Sequence, residues 1–309
     1  MDAINSSSFF HYRSNKDDFY KIIKKGFSFR YSFEPLGATF AKANNTKHRH
    51  SKSSINENDS KGIALPMLCF CDIPIMRASK HRKNYGEYCI GVDKEMMIER
   101  FGAILNPVFY VSSEVVKKMF EGLVTLKREL APTIEEIAKI KGISKECVSL
   151  NDYFTALKDP LVQMIVEKEY HQLMLNLSLM HFMALCKLYS GKNYKGEDVC
   201  YYDEREWRMF LYDMKQFKWV YDTTSGEFEK VRAKKNKSLE KKKISQVLIQ
   251  PESVGKIISH IIVPTDDDIP EIIKEIMKSP TIFGHKLSIE AKQLIISKVT
   301  SFERIEKDY

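Results

Sequence analysis

The chain has 309 residues, 43% of them hydrophobic and 29% charged, which excludes a disordered or fibrous protein and allows a sizeable core. A formal net charge of +8 admits an anionic partner such as a nucleic acid or a nucleotide. The most apolar stretch, 173–189, is interrupted by Asn176, Ser178, His181 and Lys187. It falls short of the roughly 20 apolar residues of a membrane span, so no membrane segment is expected.

The first residues lack the basic-then-apolar pattern of a signal peptide. The six cysteines show no metal-ligand spacing and read as reduced thiols, so a cytoplasmic protein is expected.

In chain order, 8–14 reads as a short strand ending in His11 and Arg13. Residues 17–25 form an amphipathic helix with Phe19, Ile22 and Ile23 on one face, and Gly26 suits its exit. Residues 27–34 alternate as a strand does. The polar run 42–61 shows no apolar periodicity and reads as a mobile loop; His48 and His50 within it have no third ligand nearby. Residues 65–74 are a buried strand leaving into a turn, and 89–92 another, after which Asp93 caps a helix over 94–100. Residues 106–111 make a further strand.

From 112 to 190 the pattern turns helical, ending in a long helix over 161–189, and reads as an insertion between strands of one sheet. Tyr201 to Tyr212 reads as a strand, with Trp207, Met209 and Leu211 on one face and Glu204, Glu206 and Arg208 on the other. A hairpin is expected around Ser225-Gly226, then a solvated basic loop over 234–243. Strands follow over 247–249 and 257–263, and helices over 268–277 and 288–297. The expectation is one α+β domain over 1–309, with a helical tail over 279–309.

Two carboxylates and a guanidinium in one row are costly to bury alone, so they form either a structural ion-pair ladder or the wall of a polar cleft. His11, His81 and Tyr85 are the other candidates. Each alone is usually structural. Together with a strand-borne Glu-x-Glu they suit chemistry at a ribosyl carbon, whose transition state is oxocarbenium-like. A carboxylate stabilises that charge, an imidazole binds a sugar hydroxyl, and an aromatic ring stacks on a base. No GxGxxG, GxxxxGK[ST] or GxSxG motif competes.

Several segments resemble the AbiGi family of bacterial abortive phage-resistance proteins. They include 10–13, 66–74, 85–91, 106–110, 188–192, 202–208 and 258–264; the most specific are Cys69-Phe70-Cys71-Asp72-Ile73-Pro74 and Tyr202-Asp203-Glu204-Arg205-Glu206-Trp207-Arg208. The resemblance implies anti-phage defence in a two-gene system, with the product of a neighbouring toxin or antitoxin gene as partner.

The order of a strand-end His, a middle Tyr and a late Glu-x-Glu is also similar to that in ADP-ribosyltransferases of the DarT type. That similarity implies a mixed, largely antiparallel sheet of the ADP-ribosyltransferase kind and NAD as ligand. His11 would hold a ribose, Tyr85 would stack on nicotinamide with His81 beside it, and Arg13 would meet a phosphate. Glu206 would be the catalytic carboxylate, and Glu204 would orient the acceptor, a macromolecule such as a nucleic acid. A non-enzymatic partner of a toxin and a nucleic-acid-binding module are the alternatives.

Overall fold

The computed structural model of the chain describes residues 6–35, 61–112, 184–192, 198–210, 221–241 and 249–308, with 114, 115, 118 and 182. Residues 42–60 of the loop expected at 42–61, and most of the helical block at 112–190, lie outside the described residues, whereas Lys61 already belongs to a strand.

The fold is α+β, built on a mixed, mostly antiparallel sheet of nine strands. In sequence its strands are β1 (Ser8–Arg13), β2 (Arg30–Pro35), β3 (Lys61–Cys71), β4 (Tyr88–Asp93), β5 (Leu105–Pro107), β10 (Glu206–Phe210), β11 (Tyr221–Thr224), β12 (Ile258–Val263) and β13 (Val299–Ser301). Two small sheets flank it, β6 (Phe109–Val111) with β7 (Cys186–Leu188) and β8 (Ser190–Lys192) with β9 (Asp198–Cys200). The main order is β13-β12-β4-β1-β3-β10-β5, with β2 and β11 also on β3. Among the described residues only β12 and β13 run parallel within it.

The centre of the sheet is apolar on both faces, as a covered strand must be. From Ser8 to Tyr12 every residue of β1 is buried. Phe9 packs with Phe70 and Trp207 on one face, while Phe10 and Tyr12 pack with Cys89, Ile262 and Phe302 on the other. Phe9, Phe19, Phe27 and Phe70 are at most 2% exposed, and each contributes about 1.5–3 kcal/mol by burial.

Helix α1 (Lys16–Lys25) starts at Asn15, whose side chain accepts from the Asp18 amide. It ends at Gly26, where φ is +83°. It buries Phe19, Ile22 and Ile23 in the same layer as α5 (Pro251–Ile257), α6 (Ile269–Lys278) and α7 (Ile289–Ile296).

Strand β3 is the spine, and its pairing forks. On one side β10 takes residues 67–71 and β11 takes 61–64. On the other, β2 takes 62–67, but β1 meets β3 only at Phe10 and Cys71. Between these contacts β1 and β2 diverge, which opens the sheet beneath His11 and Arg13.

Helix α2 (Ser79–Tyr85) and Gly86 close one side of the opening. Gly86 has φ +109°, and a Cβ there would sit 2.3 Å from the Arg13 carbonyl oxygen, so only glycine lets the chain pass and leaves Tyr85 over the fork.

Several expectations are corrected. Residues 201–204 are a 3-10 turn rather than strand, and Arg205 is left-handed at φ 44°. That turn is pinned by the Asp72 amide donating to the Arg205 carbonyl at 3.0 Å, so β10 begins at Glu206 and Glu204 is not in its row. The expected hairpin at Ser225-Gly226 and the basic loop are instead β11 followed by one helix, α4 (Ser225–Lys241). Its lysines are good helix formers, and Phe228 and Leu239 bury one face against Tyr31 and Ala64.

The strand at 106–111 breaks at Val108, whose amide turns to the Glu206 carbonyl, into β5 and β6. The end of the expected helix over 161–189 is strand β7, drawn out by parallel pairing with β6. Of the strand expected at 247–249, only Ile249 is described, buried but outside any strand. The segment 279–309 carries α7, α8 (Phe302–Asp308) and strand β13, which extends the sheet beside β12.

Candidate active site in the fork of the sheet

A cavity of about 410 Å³ fills the fork, and His11, Arg13, His81, Tyr85, Glu204 and Glu206 all line it. They arrive from β1, α2, the turn at Tyr201–Glu204 and the start of β10. The left-handed step at Arg205 brings Glu204 back beside Glu206, although the two are not on one strand.

Sequence reasoning did not single out Lys187, and it joins the two carboxylates. Its ammonium donates to Glu204 Oε2 at 2.6 Å and to Glu206 Oε2 at 2.7 Å. Tyr85 Oη donates to the other oxygen of Glu204 at 2.6 Å, and the Tyr85 ring lies 4.4 Å from the His81 ring. Arg208, fully buried, donates from Nε to Glu206 Oε1 at 2.7 Å. Its Nη2 meets Glu34 Oε2 at 3.0 Å, and its Nη1 donates to the Ala184 carbonyl at 3.0 Å. The cluster therefore holds three carboxylates and two cations.

These surroundings separate the two glutamates. Burial alone would raise Glu206, but Arg208 and then Lys187 outweigh it and hold its carboxyl well below the usual range. Glu204 goes the other way: burial pushes it up, and Lys187 offsets only part of that. Paired carboxylates driven apart in this manner are the pattern of an ionised partner beside one that takes a proton more readily. Burial works against the Lys187 ammonium too, but Glu206 and Glu204 keep its pKa above the ordinary value.

His11 Nδ1 lies 2.8 Å from the Cys69 carbonyl oxygen. A carbonyl only accepts, so Nδ1 carries the hydrogen and the neutral ring keeps an accepting lone pair on Nε2. That atom is buried and has no hydrogen-bond partner among the described residues. Burial, helped by Arg13, lowers the pKa of His11 to about 3, and burial and Lys187 lower that of His81 to about 4. Both rings are neutral at pH 7. Burial and then Glu206 raise the Cys69 thiol, so it stays protonated and is a poor nucleophile.

One comparison carries a match. Residues 42–259 fit the family model described as "Putative abortive phage resistance protein AbiGi, antitoxin". The chain belongs to the AbiGi family. With that membership it belongs to abortive phage resistance. No curated protein and no solved structure matches the chain.

Tyr85, Lys187, Glu204, Glu206 and Arg208 lie within the matched residues, whereas His11, Arg13 and Glu34 precede them. Segments 69–74 and 202–208, both inside the matched residues, form the end of β3 and the turn after it, and the turn at Tyr201–Glu204 with the start of β10, which are walls of the fork. Among the described residues no helix is long and apolar enough to cross a membrane.

The orphaned Nε2 of His11 is the feature that fits an NAD ribose: a buried acceptor in a cavity is satisfied by a ligand hydroxyl. Glu204 and Glu206 provide further acceptors for sugar hydroxyls. His48 and His50 lie outside the described residues.

Proposed function

We propose that this AbiGi protein acts in phage defence as an ADP-ribosyltransferase-like effector, using NAD to modify a macromolecular target such as a nucleic acid. The observation that carries this reading is the convergence of His11, Tyr85, Glu204 and Glu206 on one cavity where β1 splits from β3. NAD, when bound, supplies the ADP-ribosyl group and gives up nicotinamide.

The chain's residues have separable roles in this reading. His11 accepts a ribose hydroxyl at Nε2 while its bond to Cys69 fixes the ring. Glu206, kept ionised by Arg208, presents negative charge where positive charge develops on the sugar. Glu204, with the higher proton affinity of the pair, takes the proton of the acceptor hydroxyl or amine. Tyr85 positions Glu204 through its hydroxyl and offers a ring for stacking on nicotinamide, with His81 behind it.

Release of nicotinamide from NAD, followed by chromatography, tests the reading. Wild-type protein is expected to release it and Glu206→Gln to lose at least nine-tenths of the rate, on the order of the tenfold or more that such charge stabilisation contributes. Equal rates in both would remove Glu206 from the chemistry.

A second reading rests on one observation. Both oxygens of Glu206 are already paired with Lys187 and Arg208, as in a structural ion cluster. Under it the chain is the antitoxin named in the family description and restrains a toxin partner by binding. Co-purification with the product of the neighbouring gene, together with rescue of growth that survives Glu206→Gln, would support it over the enzyme.

A further inference from the structure

The carboxylate cavity opens into a second, wider cavity of about 1050 Å³ between β1, α1, β2 and α4. His11, Arg13, Ser28, Arg30 and Arg232 line both, and so form the shared threshold. The wider cavity has six Lys and Arg side chains against three carboxylates.

Those carboxylates are already engaged. Asp18 takes Lys21 at 2.8 Å, Glu229 takes Arg232 at 3.1 Å, and Glu240 takes Arg30 at 3.2 Å. These are exposed pairs, easily exchanged for a better anion. Arg13 is different: its buried Nε has no hydrogen-bond partner among the described residues. Burial and then the neighbouring Arg30 work against its charge, and Arg232 adds to the repulsion. Three guanidiniums from three elements, one of them with a buried unsatisfied donor, leave an anion-shaped deficit at the mouth of the cavity.

We infer that Arg13, Arg30 and Arg232 form a diphosphate-binding clasp that holds a nucleoside diphosphate group, with its sugar directed toward His11 and Glu206. The planar fork of arginine matches phosphate oxygens, and three of them suit two adjacent phosphates better than one. Ser28, on the same threshold, adds a hydroxyl donor. The clasp deepens the NAD reading and rests on it only for the sugar end. Arg232 lies on α4, a helix that the sequence pattern concealed, so nothing in the expected hairpin placed it there.

Calorimetry with ADP and with inorganic diphosphate tests the clasp without any turnover. ADP is expected to bind wild-type protein, diphosphate to compete with it, and Arg13→Gln and Arg232→Gln each to weaken ADP on the order of tenfold. Lys286→Gln, an exposed position elsewhere, is expected to change nothing. Arg232 sits on an exposed helix face, so its variant keeps the test decisive should Arg13→Gln fail to fold.

Absent ADP binding, or binding untouched by Arg232→Gln, would overturn the clasp. So would displacement of ADP by a short single-stranded DNA at concentrations below those at which diphosphate competes. Arginine-dependent ADP binding in a protein that releases no nicotinamide would keep the clasp and remove the transferase reading.

Discussion

The two ends of the cleft are built on opposite principles. At the inner end Glu34, Glu204, Glu206 and Arg208 are buried, Lys187 is half-buried beside them, and each charge is met by an opposite one within 3.0 Å. At the outer end the cations outnumber the carboxylates, the ion pairs are exposed, and a guanidinium nitrogen is left over. A closed cluster sets geometry, whereas an open excess of one charge invites a ligand. The difference assigns rigidity to the inner end and capture to the outer.

The largest effect should come from opening the closed end. Arg208→Ala leaves Glu206 and Glu34 buried without their guanidinium, and a loss of roughly 3–5 kcal/mol in denaturant unfolding is expected. A loss below about 1 kcal/mol would show the cluster to be far more hydrated than its burial indicates.

Acid should act next. His11 and His81 ionise near pH 3 and 4 in the fold but near 6.5 when unfolded, so the unfolded chain binds more protons between those values. Stability is then fully present above about pH 6.5 and falls as pH drops through that window, by up to about 1.4 kcal/mol per pH unit for each ring. Glu206, depressed in the fold, extends the fall below the ordinary glutamate range of about pH 4. Replacing both histidines with Asn should flatten the slope of unfolding energy between pH 4 and 6; an unchanged slope would place the titration elsewhere.

Tyr85→Phe removes one hydrogen bond to Glu204 and should cost about 1 kcal/mol, read from thermal unfolding. At the open end the same measurement should barely respond. Arg30→Gln and Arg232→Gln lose exposed ion pairs, and Arg232 a long 6.0 Å contact with the Phe228 ring, so both should stay within about 0.5 kcal/mol of wild type. A loss there as large as that of Arg208→Ala would erase the distinction between the two ends.

Sequence legibility followed the range of the signals. Gly26 after α1, and Asp93 before α3 (Lys94–Phe101), are local devices and stand where the sequence placed them. Strand β1 and the Glu206, Trp207, Arg208, Met209 alternation of β10 were equally readable.

Helix α4 was not, because Glu227-Phe228-Glu229-Lys230-Val231 alternates like a strand while its burial, at Phe228 and Leu239, follows a helical face. The turn at Arg205 hid for a related reason: a left-handed arginine has no compositional mark, and it is held by a bond from Asp72, just past the end of distant β3.

Lys187 was visible only as a charge interrupting an apolar stretch. Its meaning comes from partners 17 and 19 residues away, and Glu34 joins the cluster from the other side of β3. Charge balance across a sheet is a tertiary property, so the candidate site was legible in its residues and not in their compensation.

Calorimetric binding of NAD to wild-type protein, His11→Ala and Glu206→Gln reports on the cleft itself. Binding to wild type, its loss with His11→Ala and its retention in large part with Glu206→Gln are expected. No binding to wild type, or binding indifferent to His11, would contradict the NAD reading and leave the cleft as the ion-paired framework of an antitoxin.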